Sequence, residues 1–260
     1  MRGAAERFIE DRLAMGRVSF SMADIMRSTG LSEIAAKNQL LRLGNRVIRV
    51  TPRQAYFLIL TPEHRAFGAP PAELWLDDYF AWLGRAYYLA LQSAAAIYGS
   101  SQQAVQETQV MTDIPTRSIL FSRIRLTFYT KSNISNSLTR QSPNAPAPLM
   151  VGTPETTALD LVRYAGSIGG IEHVAETIRP MISLMGVRQL REMLTAENEL
   201  ASSQRLGYLL DQMGADKLAK VVADWLPQYK KNVSLALGVE ASRNMPADKT
   251  YGVILNIKGM

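Results

Sequence analysis

The chain has 260 residues, of which 47% are hydrophobic and 20% are charged. This length favours two domains, and this composition is typical of a folded globular protein rather than a disordered one. The absence of cysteine excludes disulfides, thiolate metal sites and a cysteine nucleophile, and two histidines in unrelated contexts exclude a histidine-rich zinc site. No segment is long and apolar enough to cross a bilayer, and no apolar run follows the N-terminus as a signal peptide requires. We therefore expect a cytoplasmic protein without a membrane partner.

Positive charge is concentrated at the N-terminus. Of the formal net charge of +6, residues 1–61 contribute +5, because they hold ten Lys or Arg and five Asp or Glu. Such an asymmetry indicates a polyanionic partner for this part of the chain. Charge alone leaves a second interpretation open, namely a basic surface with no partner.

Three short helices are predicted within this basic segment. An amphipathic pattern predicts the first helix over residues 2–15. Ser21 has the side chain of a helix N-cap and Gly30 that of a helix stop, so a second helix is expected between them. Ser32 caps a third helix, which is expected to run to about Leu43.

A β-hairpin is predicted after the third helix. Val47, Ile48 and Val50 favour one strand, residues 51–54 favour a turn, and residues 55–60 favour the returning strand. Helices followed by a hairpin in this order are typical of a winged helix-turn-helix. We therefore expect such a domain over residues 1–62.

The third helix has one apolar and one polar face. Ala36, Leu40 and Leu43 recur at helical spacing, and we expect them to pack on Ile25 and Ile48. The polar face and the hairpin carry side chains that suit DNA, because Arg matches guanine, Asn and Gln match adenine, and Lys and Ser bind phosphate. The candidate DNA-binding residues are Ser32, Lys37, Asn38, Gln39, Arg42, Arg46, Arg49 and Arg53. The alternative is a winged helix that binds protein.

A series of short motifs follows along the chain in a defined order and at characteristic spacings. They are Gly30-Leu31-Ser32, Leu40-Leu41-Arg42-Leu43, Ile48-Arg49-Val50, Ala55-Tyr56-Phe57-Leu58-Ile59, Ala69-Pro70-Pro71, Leu76-Asp77-Asp78-Tyr79, Gln109-Val110-Met111-Thr112-Asp113 and Thr153-Pro154-Glu155-Thr156-Thr157, with an alanine-rich stretch at residues 87–95. The series reaches to about residue 226 and resembles the AbiEi family of AbiE-type antitoxins, which belong to type IV toxin–antitoxin systems. One departure is Arg53-Gln54 in the hairpin, where relatives often have Arg-Gly.

The resemblance implies two activities. Antitoxins of this family repress their own operon by binding inverted repeats in promoter double-stranded DNA through the winged helix. Their C-terminal domain counters a nucleotidyltransferase-like toxin that is encoded alongside, and direct contact with that toxin is not required.

The rest of the chain predicts a proline-rich joint with a short helical segment over residues 63–86 and a larger mixed α/β domain over residues 87–260. The expected fold class is therefore α+β. Within this part a buried helix is expected from Tyr87 to Tyr98. A further helix is expected after Thr153, with Glu155 and Asp160 solvated or locally paired.

A second basic segment lies between Ile114 and Pro154, where the chain has no Asp or Glu. Its candidate residues for an auxiliary nucleic-acid surface are Arg117, Arg123, Arg125 and Lys131. Period-two alternation places Arg123 and Arg125 on the outer face of a strand. The alternative is a positive sheet face that is covered by acidic side chains from helices.

An enzyme is the strongest rival interpretation. Gly99-Ser100-Ser101 resembles the phosphate loop of nucleotidyltransferases, which also need two metal-binding carboxylates spaced one residue apart on the following strand. Between Gly99 and Pro154 the only acids are Glu107 and Asp113, which do not form such a pair. We therefore expect no catalytic residues, no metal and no cofactor, although a catalytically degenerate relative of that fold remains an alternative.

Overall fold

The computed structural model describes residues 3–100, 107–121, 123–143, 145–239 and 245–257. The helices are α1 (Ala4–Ala14), α2 (Met22–Thr29), α3 (Glu33–Arg42), α4 (Leu76–Leu83), α5 (Leu91–Ile97), α6 (Pro154–Arg163), α7 (Gly170–Ile178), α8 (Val187–Glu197), α9 (Leu200–Gln212) and α10 (Asp216–Trp225). None of these described helices has the length and apolar character that crossing a membrane requires.

The strands are β1 (Ser19–Ser21), β2 (Val47–Arg49), β3 (Tyr56–Ile59), β4 (Tyr87–Leu89), β5 (Glu107–Thr112), β6 (Ile119–Phe121), β7 (Ile124–Thr130), β8 (Thr139–Gln141), β9 (Met150–Gly152), β10 (Val233–Ser234), β11 (Ala247–Asp248) and β12 (Val253–Ile254). The α+β class expected from the sequence is confirmed, since helices lead the chain and a larger mixed region follows.

Two compact units divide the chain. The first comprises Met1–Tyr88, Gln106–Ser132 and Gln141–Met150, and the second comprises Leu89–Val105, Asn133–Arg140 and Val151–Met260. The predicted domain of residues 1–62 is smaller than either of these units. Independent folding of residues 1–62 therefore remains a prediction.

The N-terminal elements follow the predicted order, with one addition. β1 lies between α1 and α2, and it pairs antiparallel with β3, which also pairs antiparallel with β2. The sheet order is therefore β1-β3-β2. β1 was missed because its sequence, Ser19-Phe20-Ser21, is too short and too polar to give a strand pattern.

Side-chain caps fix the helix ends in this segment. The Ser21 hydroxyl accepts a hydrogen bond from the Asp24 backbone N–H, and the Asp24 carboxylate accepts one from the Ser21 backbone N–H at 2.8 Å. Burial raises the pKa of Asp24, but the hydrogen bonds from Ser21 and the charges of Arg12 and Arg27 together outweigh it and hold that pKa below its ordinary value. α2 ends at Gly30, whose φ of 68° lies in the left-handed region that glycine adopts without strain.

The core of this segment lies between the helices and one face of the sheet. Ala36 and Leu40 are buried in it, and Leu43 packs against it, as the apolar face of α3 predicted. The expected contribution of Ile48 is wrong. Val47 packs on the core in its place, because neighbouring residues of a strand point to opposite faces of the sheet.

The second face of the same sheet is covered by α4. The Tyr56 ring lies 5.3 Å from the Tyr79 ring and 5.0 Å from the Trp82 ring, measured between centroids. The Tyr56 hydroxyl donates a hydrogen bond to Ser19 Oγ at 2.9 Å, and the Ser19 hydroxyl donates one to the Asp78 carboxylate. β3 is consequently buried on both faces. Burial also raises the pKa of Tyr56 well above its ordinary value.

The other strands of the first unit form a mixed arrangement. β7 pairs antiparallel with β6 and parallel with β5, and this register sets Glu107 opposite Arg125. The helix expected from Tyr87 to Tyr98 is wrong at its start. Residues 87–89 form β4, because aromatic side chains favour strands, and α5 begins only at Leu91.

In the second unit, α6 begins as predicted and is more deeply buried than expected. The Thr153 hydroxyl accepts a hydrogen bond from the Thr156 N–H, and every residue from 154 to 162 is buried. Glu155 and Asp160 are therefore core residues, which corrects the expectation of a solvated side chain at either position. The Glu155 carboxylate accepts a hydrogen bond from the Gly186 N–H at 2.8 Å, which gives one of its oxygens a partner inside the unit.

Candidate nucleic-acid interface

The outward face of α3 combines polar and apolar side chains. Ile34, Lys37, Asn38 and Leu41 follow one another at helical spacing and are exposed. The apolar pair is the unexpected feature, since Ile34 is 74% exposed and Leu41 is 78% exposed. Sequence reasoning missed both residues because it searched this face for side chains that hydrogen-bond to DNA.

Two of the predicted DNA-binding residues hold the local fold. The Ser32 hydroxyl accepts a hydrogen bond from the Ala35 N–H and so caps α3. The Gln39 side-chain oxygen accepts a hydrogen bond from the Ala5 N–H at 2.9 Å, and the side chain is half-buried. Gln39 is thus turned toward the first turn of α1, which corrects its expected position on the outward face.

Two predicted phosphate-binding residues already have carboxylate partners. Lys37 Nζ lies 2.5 Å from Glu33 Oε1 one turn earlier in α3. The hydrogen bond and the charge of Lys37 hold the pKa of Glu33 below its ordinary value. Arg46 Nη1 lies 2.9 Å from Glu6 Oε1 on α1, and both side chains are partly buried. DNA would have to compete with these carboxylates for both cations.

Three predicted DNA-binding residues are exposed without such partners. Asn38 and Arg42 lie one turn apart on α3, and Arg53 lies in the hairpin turn. Within the part of the chain that the structure describes, their side chains make no hydrogen bond or ion pair. These residues offer hydrogen-bond donors, and Asn38 an acceptor as well, to a ligand outside the protein.

Arg49 is held against the hairpin. Its guanidinium carbon lies 5.4 Å from the centroid of the Phe57 ring, and its Nη1 donates to the Pro52 carbonyl at 3.3 Å. A groove of about 320 Å³ separates α3 from the hairpin, and Arg49 and Lys37 lie among its lining residues. Its other lining residues are Met22, Leu40, Leu41, Gly44, Val47 and Phe57. The groove is therefore mainly apolar, with two cationic side chains.

The second basic segment is only partly a surface. Arg117, Arg123 and Arg125 are exposed as predicted. Lys131 is 1% exposed, and its Nζ donates to the Tyr88 hydroxyl at 3.2 Å, so its assignment to a basic surface is wrong. The Lys131 backbone N–H donates a hydrogen bond to the Thr112 carbonyl and so continues the pairing of β7 with β5, while its side chain points inward.

An acid also lies among the side chains of this sheet. Glu107, on β5 opposite Arg125, accepts hydrogen bonds from Thr127 at 2.8 Å and from Gln109 at 3.1 Å. The positive potential of the exposed arginines is reduced by this carboxylate.

The Gly99-Ser100-Ser101 segment, which resembles a phosphate loop in sequence, makes hydrogen bonds within the protein. The Ser100 hydroxyl is buried and donates to the Thr177 carbonyl oxygen. Asp113 pairs with Arg85 at 3.4 Å, and Ser101 lies outside the described residues. Among the described residues, no three His, Asp or Glu side chains are grouped as a metal site requires.

Comparisons with known proteins address the C-terminal part and the fold. Residues 87–212 match the family model of the AbiEi antitoxin C-terminal domain. The crystal structure of the RV2827C protein from Mycobacterium tuberculosis is similar with a TM-score of 0.68, covering 98% of this chain and 92% of that one at 16% sequence identity, which supports the fold alone. No curated protein matches the chain. The family match confirms, over residues 87–212, the resemblance to AbiEi-type antitoxins that the motifs indicated.

Proposed function

We propose that this protein is a repressor that binds double-stranded DNA in the promoter of its own operon. The observation that carries the proposal is the set of Asn38, Arg42 and Arg53, which are exposed around α3 and the hairpin without protein partners. They lie in the segment that holds nearly all of the net positive charge of the chain. Exposed donors in a basic segment are what binding to a polyanion requires.

The element order supports a specific docking. In helix-turn-helix proteins the second helix of the motif enters the major groove and its side chains contact base edges. Here that helix is α3, which would bring Asn38 and Arg42 to the bases. Arg53, in the hairpin turn, would contact an adjacent groove or the phosphate backbone. The expected ligand is an inverted repeat bound by two copies, because one helix covers too few base pairs for selectivity in a genome.

We also propose how the protein acts as an antitoxin. We expect the C-terminal domain to counter a nucleotidyltransferase-like toxin without requiring direct contact. The match of residues 87–212 to the antitoxin domain supports this part. We also propose that the protein itself is not catalytic, which the burial of the Ser100 hydroxyl supports.

A reporter assay separates the two activities. The upstream region of the gene drives a reporter while the protein is supplied in trans, either unchanged or with Asn38, Arg42 and Arg53 replaced by Ala. We expect the wild type to repress and the triple variant to lose most of the repression, while both still protect cells from the co-expressed toxin. Full repression by the triple variant would contradict DNA binding through α3.

A matched control removes the same charge elsewhere. Gln189, Arg191 and Lys217 are exposed in the second unit. Their joint replacement by Ala removes one amide and two cations, as the triple variant does. We expect this control to repress like the wild type.

A further inference from the structure

Two large apolar side chains project from α3 among polar side chains. Ile34 and Leu41 are 74% and 78% exposed, and they lie seven residues apart on α3. Two helical turns separate them, which corresponds to about 10.5 Å along the helix axis. Their exposure is not needed to fill a core, because Ala36 and Leu40 fill it from the opposite face of the same helix.

The surroundings of the pair indicate which ligand covers it. Asn38 lies between Ile34 and Leu41 on the same face, and Arg42 follows Leu41 directly. A protein partner of ordinary composition would meet two apolar side chains that are interrupted by an amide and bordered by cations. The major groove of DNA presents negative phosphates at its rim and apolar methyl groups at C5 of pyrimidines. Its base edges also offer donors and acceptors that an Asn side chain can bind, as at adenine.

We infer that Ile34 and Leu41 contact C5-methyl groups of pyrimidines in the major groove and so contribute to the choice of operator. This inference rests on the proposed DNA binding. Because base pairs rise about 3.4 Å each, the two side chains would meet methyl groups about three base pairs apart when α3 lies along the groove. Thymine is the expected source of these methyl groups, and 5-methylcytosine offers the same group at the same position.

The test removes the methyl group without changing base pairing. The upstream region of the gene is amplified once with dTTP and once with dUTP, and the affinity of the intact protein for each duplex is measured. We expect at least a fivefold weaker affinity for the uracil-containing duplex. We expect the Ile34→Ala/Leu41→Ala variant to bind both duplexes with equal affinity, because the side chains that sense the methyl group are gone.

A control variant separates methyl contact from general weakening. Arg42→Ala is expected to weaken binding to both duplexes while it preserves the ratio between them. A third duplex, amplified with dTTP and 5-methyl-dCTP, tests the second source. If the protein binds this duplex and the duplex with thymine and ordinary cytosine equally, the contact is assigned to thymine. If it binds the 5-methylcytosine duplex more tightly, and the double variant loses this difference, 5-methylcytosine is a second source.

The results that overturn the inference differ from those that overturn DNA binding. If the wild type binds the thymine and uracil duplexes equally, the inference is wrong and the proposed function stands. If it binds neither duplex, the proposed function itself is wrong. If the double variant keeps the wild-type ratio and instead loses self-association in sedimentation, the apolar pair is an interface between two copies and the inference is wrong.

Discussion

The side-chain oxygen of Gln39 on α3 lies 2.9 Å from the backbone nitrogen of Ala5 in the first turn of α1. The first N–H groups of a helix have no partner within the helix, so Gln39 satisfies one of them from another element. The neighbouring residue Asn38 points outward and makes no such bond within the described residues. Adjacent amides on one helix therefore have different roles, one in stability and one available for DNA.

This difference predicts opposite effects for two neighbouring substitutions. Gln39→Ala should lower the free energy of unfolding by about 1 kcal/mol, because the part-buried Ala5 N–H loses its acceptor. Asn38→Ala should leave stability nearly unchanged and reduce the preference for operator over random DNA. Urea unfolding and affinity measurements on both variants check this. Gln39→Glu, which keeps an acceptor oxygen, should restore much of the stability, and equal stability of Gln39→Ala and the wild type would contradict the role given to Gln39.

The ion pair between Glu33 and Lys37 predicts a variant that binds DNA more tightly. Glu33→Gln removes the carboxylate 2.5 Å from Lys37 Nζ and releases that cation for phosphate. We expect higher affinity for all duplexes and a salt dependence steeper by about one unit, because one more phosphate is neutralised. Lys37→Ala alone should change both quantities less than Arg42→Ala does. An unchanged salt slope in Glu33→Gln would show that Lys37 does not reach phosphate.

The capping box of α2 predicts an acid-sensitive contribution to stability. Because the pKa of Asp24 in the folded protein lies below its ordinary value of 3.8, the contribution is fully present above that value. It is lost as the pH falls through the lower, folded-state pKa. Asp24→Ala should therefore cost about 1 kcal/mol near neutral pH and progressively less below about pH 4.

A matched acid on the same segment provides the control. Asp11 is exposed on α1, and Asp11→Ala removes the same charge without breaking a cap. We expect its effect to be small at every pH. If Asp24→Ala is as destabilising at pH 2 as at pH 7, the capping carboxylate is not the cause of the loss.

The packing of α4 on the N-terminal sheet predicts where a stable fragment can end. A fragment of residues 1–62 lacks Tyr79 and Trp82 and leaves Tyr56 uncovered. A fragment of residues 1–85 keeps these contacts and the hydrogen bond from Tyr79 to Gln54 at 2.7 Å. We expect the longer fragment to melt at a higher temperature in circular dichroism. Equal melting temperatures would show that α4 does not stabilise the segment and would favour the boundary at residue 62.

Local signals gave most of the helix ends in the N-terminal segment. Ser21, Gly30 and Ser32 act within three or four residues of themselves, so their effect could be predicted from the sequence. The partner of Gln39 lies 34 residues away and that of Arg46 lies 40 residues away. No periodicity in the sequence signals such pairs, and both residues were predicted to contact DNA instead.

Burial of charged residues was the other source of error. Lys131 follows three aromatic or polar strand residues and has the sequence context of a surface lysine. Glu155 follows a helix cap and has the context of a solvated first-turn acid. Both are buried because elements distant in sequence cover them, with Tyr88 and Gly186 as their partners. The exposed side chains of Arg123 and Arg125, by contrast, agree with simple strand alternation.

The central claim is that α3 reads DNA sequence, and a pair of salt titrations tests it most directly. The affinity of the intact protein is measured for its own upstream region and for a scrambled duplex of equal length, over a range of salt concentrations. Wild-type protein should prefer the upstream region, and log affinity should fall linearly with log salt for both duplexes. Replacement of Asn38, Arg42 and Arg53 by Ala should remove most of this preference and flatten the salt dependence. Equal affinity of the wild type for the two duplexes, or an unchanged preference in the triple variant, would contradict the claim.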